Sequence, residues 1–125
     1  MKKFALLCLV LFLAVILAAS VAFAADTPST LDKILAAKKI VIGTAPGYLP
    51  FEMKDKKGNF IGYDIDLGKA VAKALNVEVE FKQFEFSGLI PALQTGEIDI
   101  LIAGMTIRGD RALAVSFPNP YSSTG

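Results

Sequence analysis

The sequence predicts an α/β domain with a largely parallel sheet flanked by helices. Three short apolar runs of strand length alternate with two segments whose apolar residues recur at helical spacing. The order is therefore strand, helix, strand, helix, strand. Because parallel neighbours need a crossover connection, usually a helix, this order favours βαβ units and a parallel sheet.

A short helix and a buried strand open the predicted domain. The helix has an apolar stripe at i, i+3, i+4 spacing, and its predicted N-cap is Thr30. The stripe consists of Leu31, Ile34 and Leu35. The β-branched run 40–42, closed by Gly43, is apolar on both faces. This pattern is typical of a strand in a sheet that is covered on both sides.

A hairpin-like excursion and the longest helix follow. Residues 51–53 and 60–61 flank the charged turn 54–59 and predict two short strands. Asp64 is the predicted N-cap of the next helix, which ends at Asn76. The expected apolar face of this helix consists of Leu67, Ala70, Val71, Ala74 and Leu75.

Two more strands and a helix complete the predicted domain. Apolar and charged side chains alternate over residues 77–82, which indicates a strand with one face more exposed to solvent than the other. Ser87 is predicted to cap a helix that stops at Gly96. The apolar residues of this helix are Leu89, Ile90, Ala92 and Leu93. Residues 98–103, interrupted by one aspartate, are the third predicted strand.

The N-terminal residues 1–24 are predicted to be a cleavable secretory signal peptide. Two lysines precede an unbroken apolar run over residues 4–19, and the small-x-small sequence 22–24 gives a cleavage site. Cys8 lies inside the apolar run, so we expect it to act as a small hydrophobic residue without chemistry.

Cleavage would leave a mature, exported chain that begins at Ala25. Residues 25–30 are polar and without periodicity, and we expect them to be a flexible lead-in to a folded domain over residues 31–125. An uncleaved membrane anchor is the alternative, because the apolar stretch is nearly long enough to span a bilayer.

The composition excludes several classes of function. Thirteen Lys plus Arg against twelve Asp plus Glu give a net charge of +1, which provides no field to hold nucleic acid. With no His and one Cys, the chain cannot form a His/Cys zinc site or a nucleophile paired with histidine.

Three loops follow the carboxyl ends of the predicted strands, where ligands bind in sheets of this kind. They are residues 43–51, 84–88 and 104–107. The first two loops carry the aromatic residues Tyr48 and Phe86, which we expect to flank one crevice.

The third loop has the composition of an anion site. It offers the backbone of Gly104 and the hydroxyl of Thr106, and Arg108 and Arg111 follow it. A guanidinium can engage both oxygens of a carboxylate, and N–H groups and a hydroxyl add short charge-assisted hydrogen bonds.

These motifs resemble the first lobe of a family 3 extracytoplasmic solute-binding protein, the polar amino acid receptors of ABC importers. The resemblance runs from about Leu31 to Gly125. It depends on spaced blocks in the right order, which are VIGTAPGYLPFE, GNFIGYDIDLGKAVAKAL, FSGLIPALQTGEIDILIAGMTI, the pair Asp110-Arg111 and the final PYSSTG.

The resemblance implies a ligand site and the roles of its residues. Tyr48 and Phe86 would lie on either side of the ligand side chain. Gly104 and Thr106 would bind the α-carboxylate, and Arg111 would form an ion pair with it. Met105 would line the site next to Gly104 and Thr106. It also implies a type II periplasmic binding protein-like fold and a periplasmic monomer that delivers an amino acid to a membrane permease. No cofactor, metal or catalytic residue is implied.

Two departures from the family pattern concern specificity. Ala45 stands where relatives that bind cationic or amide side chains often carry an acidic residue, so we expect a neutral ligand or a specificity decided elsewhere. Arg108-Gly109 stands where the family usually has Thr followed by Pro, Asp or Glu. We expect the side chain of Arg108 to be a solvated surface charge.

A third departure is the length of the chain. Family members exceed twice the mature length, so we expect the chain to be a truncated first lobe whose second lobe is absent. The resemblance places the acidic partner of the ligand's amino group in that second lobe. We therefore expect affinity poorer than millimolar, about −4 kcal/mol, for the chain alone.

Other functions and plainer structural roles are the alternatives. The same lobe could belong to a periplasmic dehydratase or lytic transglycosylase, or to the input domain of a sensor kinase. The site residues also have structural readings. These are surface packing for Tyr48 and Phe86, a turn cap for Thr106, an ion pair with Asp110 or Glu97 for Arg111, and helix capping for Asp64 and Asp66.

Overall fold

The computed structural model describes residues 27–123 of the protein, which form one small α/β unit. The elements are α1 (Thr30–Ala37), β1 (Lys39–Thr44), β2 (Met53–Lys54), β3 (Phe60–Ile61), α2 (Tyr63–Leu75), β4 (Glu78–Gln83), a 3-10 turn (Phe86–Gly88), α3 (Leu89–Gln94), β5 (Ile100–Leu101) and α4 (Gly109–Ala112). The predicted signal peptide and Cys8 lie outside the described residues. None of the helices in the described part has the length and apolarity needed to cross a membrane.

The N-terminus of α1 has a capping box one residue earlier than predicted. The Ser29 hydroxyl accepts a hydrogen bond from the Asp32 N–H, and the Asp32 carboxylate accepts the Ser29 N–H at 3.0 Å. Ser29 is therefore the N-cap, and Thr30 is the first helical residue. The predicted lead-in over residues 25–30 overlaps this helix start, so its C-terminal boundary was placed too late.

A three-stranded parallel sheet in the order β4-β1-β5 confirms the predicted architecture. The central strand β1 is the most buried, as its apolar run indicated, and Ile40 and Ile42 are almost fully inaccessible. Ile34 of α1 and Ala72 of α2 pack with them in the core. The hairpin of β2 and β3 is antiparallel, also as predicted.

The third strand is shorter than the predicted run 98–103. The Asp99 N–H donates to the Val41 carbonyl at 2.9 Å, but the Val41 N–H donates to the Asp99 side chain at 2.8 Å. A carboxylate thus takes the place of a backbone carbonyl at the start of β5, and regular pairing is confined to Ile100 and Leu101.

Helix α2 begins without a side-chain cap, so the prediction that Asp64 is the N-cap was wrong. The first N–H groups, of Tyr63 and Asp64, donate to the carbonyls of Pro50 and Phe51 at 3.1 and 2.9 Å. Gly62 permits this contact because it has a φ of 123° and its missing Cβ would collide with the Phe51 carbonyl. The loop after β1 therefore caps the helix.

The buried face of α2 also differs from prediction. Ala70 and Ala74 are exposed, whereas Ile65, Gly68 and Ala72 are buried. A Cβ on Gly68 would lie 2.9 Å from both Ile42 and Phe81, so the helix approaches the sheet most closely where it has no side chain. Ser87 likewise caps nothing, because a 3-10 turn leads directly into α3.

Candidate functional site

Loops from the carboxyl edge of the sheet meet around a cavity of about 320 Å³. The loop after β1 contributes Tyr48 and Phe51, and the loop after β5 contributes residues 104–107. The C-terminal segment 117–123 closes the third side. The predicted meeting place of the strand ends is therefore a concave surface.

Tyr48 is fixed at the rim of this cavity by its own backbone. Its N–H donates to the Glu52 carbonyl at 3.0 Å, and the Glu52 N–H donates back at 2.9 Å. The ring stacks on Phe51 with 5.1 Å between centroids, yet 49% of Tyr48 remains exposed. A backbone ladder thus holds an aromatic surface that is open to a ligand.

Gly104 forms the part of the cavity wall that faces Tyr48. Its φ is +53°, and a Cβ there would lie 2.9 Å from the Tyr48 ring. Both the backbone conformation and the close approach of the ring favour glycine at this position.

Arg111 lies beside the cavity, held by two neighbours. Its Nη1 donates to the Thr106 carbonyl at 3.0 Å, and its guanidinium carbon is 5.2 Å from the centroid of the Phe86 ring. No carboxylate in the described part of the chain forms an ion pair with it, because Asp110 is engaged by Arg108 at 3.1 Å. The ion pairs considered as structural roles for Arg111 are thus not formed.

The six predicted site residues fall into two adjoining groups. Four line the cavity, namely Tyr48, Gly104, Met105 and Thr106. Phe86 and Arg111 form a separate cation–π pair that joins the first group through the Thr106 carbonyl. Phe86 therefore faces Arg111, and the sandwich of Tyr48 and Phe86 around a ligand side chain stays a prediction.

Two buried acids beneath the cavity were missed as site residues. Glu52 and Asp64 are 1% and 0% exposed, and the Asp64 carboxylate accepts the Gly104 N–H at 2.6 Å. Burial, together with the hydrogen bond and charge of Asp64, raises the pKa of Glu52 to about 8. Asp64 looked like a helix cap in the sequence, and the neighbouring apolar residues of both acids were the available signal of burial.

This hydrogen bond changes the expected role of Gly104. Its N–H is directed at Asp64, so it is not free to bind the carboxylate of a ligand. Tyr121 lies close to the same acids, and burial and the charge of Asp64 raise the pKa of its phenol. The contribution of Gly104 to a ligand site remains a prediction, and of the predicted anion donors Thr106 and Arg111 are left.

Comparison with known proteins identifies, along most of the chain, the family that the sequence motifs resemble. Residues 40–125 match the model of bacterial extracellular solute-binding proteins, family 3. The L-arginine-binding protein of Pseudomonas aeruginosa is 37% identical over 95 residues, which cover 76% of this chain and 37% of that protein. The chain thus spans well under half the length of this curated relative.

Solved structures show the same fold. An ancestral cationic amino acid solute binding protein, AncCDT-1, superposes with a TM-score of 0.74 and 50% identity, over 75% of this chain and 41% of that one. The arginine-bound form of domain 1 from TmArgBP superposes with a TM-score of 0.70 and 40% identity, over 71% of each chain.

The partial coverage of the longer structures fits a single lobe of a type II periplasmic binding protein. The family match, the parallel sheet and the cavity at its carboxyl edge lead to one conclusion. The chain belongs to the bacterial extracellular solute-binding proteins of family 3.

Proposed function

We propose that the chain provides the first lobe of an exported receptor that binds arginine or a similar amino acid for an ABC importer. The observation that carries this proposal is the unpaired guanidinium of Arg111 at the edge of the cavity. Arg111 is partly buried, and among residues 27–123 no carboxylate forms an ion pair with it. A ligand carboxylate would supply the missing counter-charge.

The geometry around Arg111 suits this role. One N–H of the guanidinium donates to the Thr106 carbonyl, and the cation–π contact with Phe86 holds the group beside the cavity. The remaining donors of the fork can reach a carboxylate in the plane of the guanidinium. The exposed Thr106 adds a hydroxyl next to the same position.

A cationic ligand side chain is favoured over the neutral one expected from Ala45. The relatives described above are named for arginine or for cationic amino acids. The exposed ring of Tyr48 offers a cation–π surface, and the negative charge of the acid pair lies directly behind Gly104. Both features favour a positive group in the cavity.

Binding by the first lobe alone is part of this proposal. Domain 1 of TmArgBP has been solved in an arginine-bound form, which supports a ligand site that forms without the second lobe. We expect binding by this chain to be weak, because only one wall of the cleft contributes contacts. Export to the periplasm and delivery to a permease complete the proposal by analogy with these relatives.

We propose that the role is binding and not catalysis. One solved structure of this fold is an ancestral cyclohexadienyl dehydratase, and acid catalysis in such an enzyme would need an acid that touches the substrate. In the described part of the chain, the carboxyl with a raised pKa is that of Glu52, which is buried beneath Gly104. Its position suits support of the cavity better than proton transfer.

Isothermal titration calorimetry of the full 125-residue chain tests the proposal. We expect arginine to bind and agmatine, which lacks the carboxylate, to bind at least tenfold more weakly, since a hydrogen bond to a charged group is worth about 1.5–3 kcal/mol. Arg111→Gln should cause a similar loss. The double variant Arg108→Gln with Asp110→Asn removes a nearby surface pair and is the matched control. Equal binding of arginine by the Arg111→Gln variant would overturn the proposal.

A further inference from the structure

Glu52 and Asp64 are two acids buried side by side without a cation. Neither forms an ion pair with a lysine or arginine in the described part of the chain. Two ionised carboxylates in such a place would repel each other in a medium of low dielectric. The pair must therefore hold a proton, or the fold would carry a large electrostatic cost.

The pattern of hydrogen bonds indicates where that proton lies. Asp64 Oδ2 is occupied by the Gly104 N–H, whereas Asp64 Oδ1 and Glu52 Oε2 are buried and have no partner among the described groups. Both carboxyl groups lie at Gly104, because its N–H donates to Asp64 Oδ2 and a Cβ built on it would lie 3.9 Å from Glu52 Oε2. A proton carried by one carboxyl group and donated to the other would give the pair the hydrogen bond that these oxygens lack.

We propose that Glu52 and Asp64 share one proton and act as a positioning pair, which holds the Gly104 N–H and so sets the wall of the ligand cavity. The chain of contacts is short. Glu52 keeps Asp64 in place, Asp64 holds Gly104, and Gly104 packs against the ring of Tyr48. The proposal rests on the proposed function, because it assigns a role within the same cavity.

Glu52 is also tied to the other wall of the cavity through its backbone. Its N–H and carbonyl form the two hydrogen bonds that fix Tyr48. One residue therefore links the aromatic rim by its main chain and the glycine wall by its side chain. Loss of the shared proton would put two negative charges behind Gly104 and disturb both walls.

The other titratable group that faces the pair is Tyr121. Burial and the charge of Asp64 raise the pKa of its phenol, and its ring stacks on Tyr63 with 5.8 Å between centroids. The raised pKa keeps this phenol neutral over the range in which Glu52 titrates. Deprotonation of Glu52, whose pKa is about 8, is therefore the event that should change the cavity wall.

Heteronuclear NMR of the full chain tests this proposal without ligand. We expect the Gly104 amide proton to resonate far downfield, because it is bonded to a carboxylate at 2.6 Å, and to shift with an apparent pKa near that of Glu52, about 8. Glu52→Gln places a neutral donor next to Asp64 and should keep the downfield position while removing the titration. Asp64→Asn should move the resonance upfield.

Asp66→Asn is the matched control, because Asp66 is an exposed acid on the same helix. It should leave the Gly104 resonance and its titration unchanged. An unchanged titration in the Glu52→Gln variant would overturn the proposal, and this comparison holds even if Asp64→Asn does not fold. An infrared band of a protonated carboxyl at pH 6.5 should be present in the native chain and lost in Glu52→Gln.

Ligand binding separates this inference from the proposed function. We expect the arginine affinity of the native chain to change across the titration by at least threefold and that of Glu52→Gln to stay flat. A chain that binds arginine but shows no titration at Gly104 would refute the positioning pair alone. A chain that shows the titration but binds no arginine at any pH would refute the proposed function alone.

Discussion

The guanidinium of Arg111 lies over the ring of Phe86, 5.2 Å from its centroid, while Nη1 donates to the carbonyl of Thr106. The two contacts hold the charged group in place in the unliganded chain. Preorganisation of this kind lowers the entropy that binding would otherwise cost. The role of Phe86 is therefore tied to Arg111 at least as closely as to a ligand side chain.

Replacement of Phe86 by leucine should weaken arginine binding without affecting the fold. An exposed cation–π contact is worth about 0.5–1 kcal/mol, so we expect the dissociation constant to rise about two- to fivefold. Calorimetry measures this change. Phe86→Tyr keeps the ring and should bind like the native chain, and a Phe86→Leu variant of native affinity would count against the stacking role.

Replacement of Gly104 by alanine should disturb the cavity directly. The φ of +53° strains any L side chain, by roughly 1–2 kcal/mol, and the new Cβ would meet the Tyr48 ring. We expect arginine binding to fall by more than tenfold. Gly96→Ala, at a φ of +74° in open space, carries the backbone strain alone. It should lower the free energy of unfolding to a similar degree and leave binding intact, whereas loss of binding in both variants would contradict a local effect.

The raised pKa of Glu52 predicts that stability falls as pH rises. Its pKa moves from an ordinary value of 4.5 to about 8 in the folded chain, so the folded state binds more protons than the unfolded state between these values. The free energy of unfolding should therefore decrease across that window, by up to about 1.4 kcal/mol per pH unit. Denaturant unfolding at several pH values measures the slope. Glu52→Gln should remove it, and an equal slope in both proteins would contradict the assignment.

Asp99 should matter more for stability than its place at a sheet edge suggests. Its carboxylate accepts the Val41 N–H at 2.8 Å. In Asp99→Ala this N–H loses its partner, which should cost about 1–3 kcal/mol in the free energy of unfolding. Chemical denaturation gives the value. Asp66→Ala, which removes an exposed acid of α2, should cost far less, and equal costs would show that the contact contributes nothing.

Periodicity predicted the elements that are buried on regular faces. The run 40–42 is the central strand, the alternation over residues 77–82 is the neighbouring strand, and the loop of Tyr48 lies at the carboxyl edge of the sheet. These features follow from local patterns of apolar residues, which a sequence displays directly.

Features that depend on side chains reaching across the fold were not predictable in this way. Asp64 has the position of a helix cap in the sequence, but a loop carbonyl takes that role and frees the carboxylate for Gly104. Asp99 shortens the third strand by replacing a backbone acceptor. The pairing of Phe86 with Arg111 joins the 3-10 turn to α4, more than twenty residues further along the chain, and no local pattern encodes it.

The central claim is that Arg111 receives the carboxylate of an amino acid, and the Nε–H resonance of Arg111 reports on this most directly. Heteronuclear NMR of the full chain, titrated with arginine and separately with agmatine, provides the measurement. We predict a saturable shift of this resonance with arginine and little change with agmatine. Equal shifts of the Arg111 resonance with both ligands would contradict this role. So would an Arg111 resonance that does not shift at saturating arginine while the resonances of Tyr48 do.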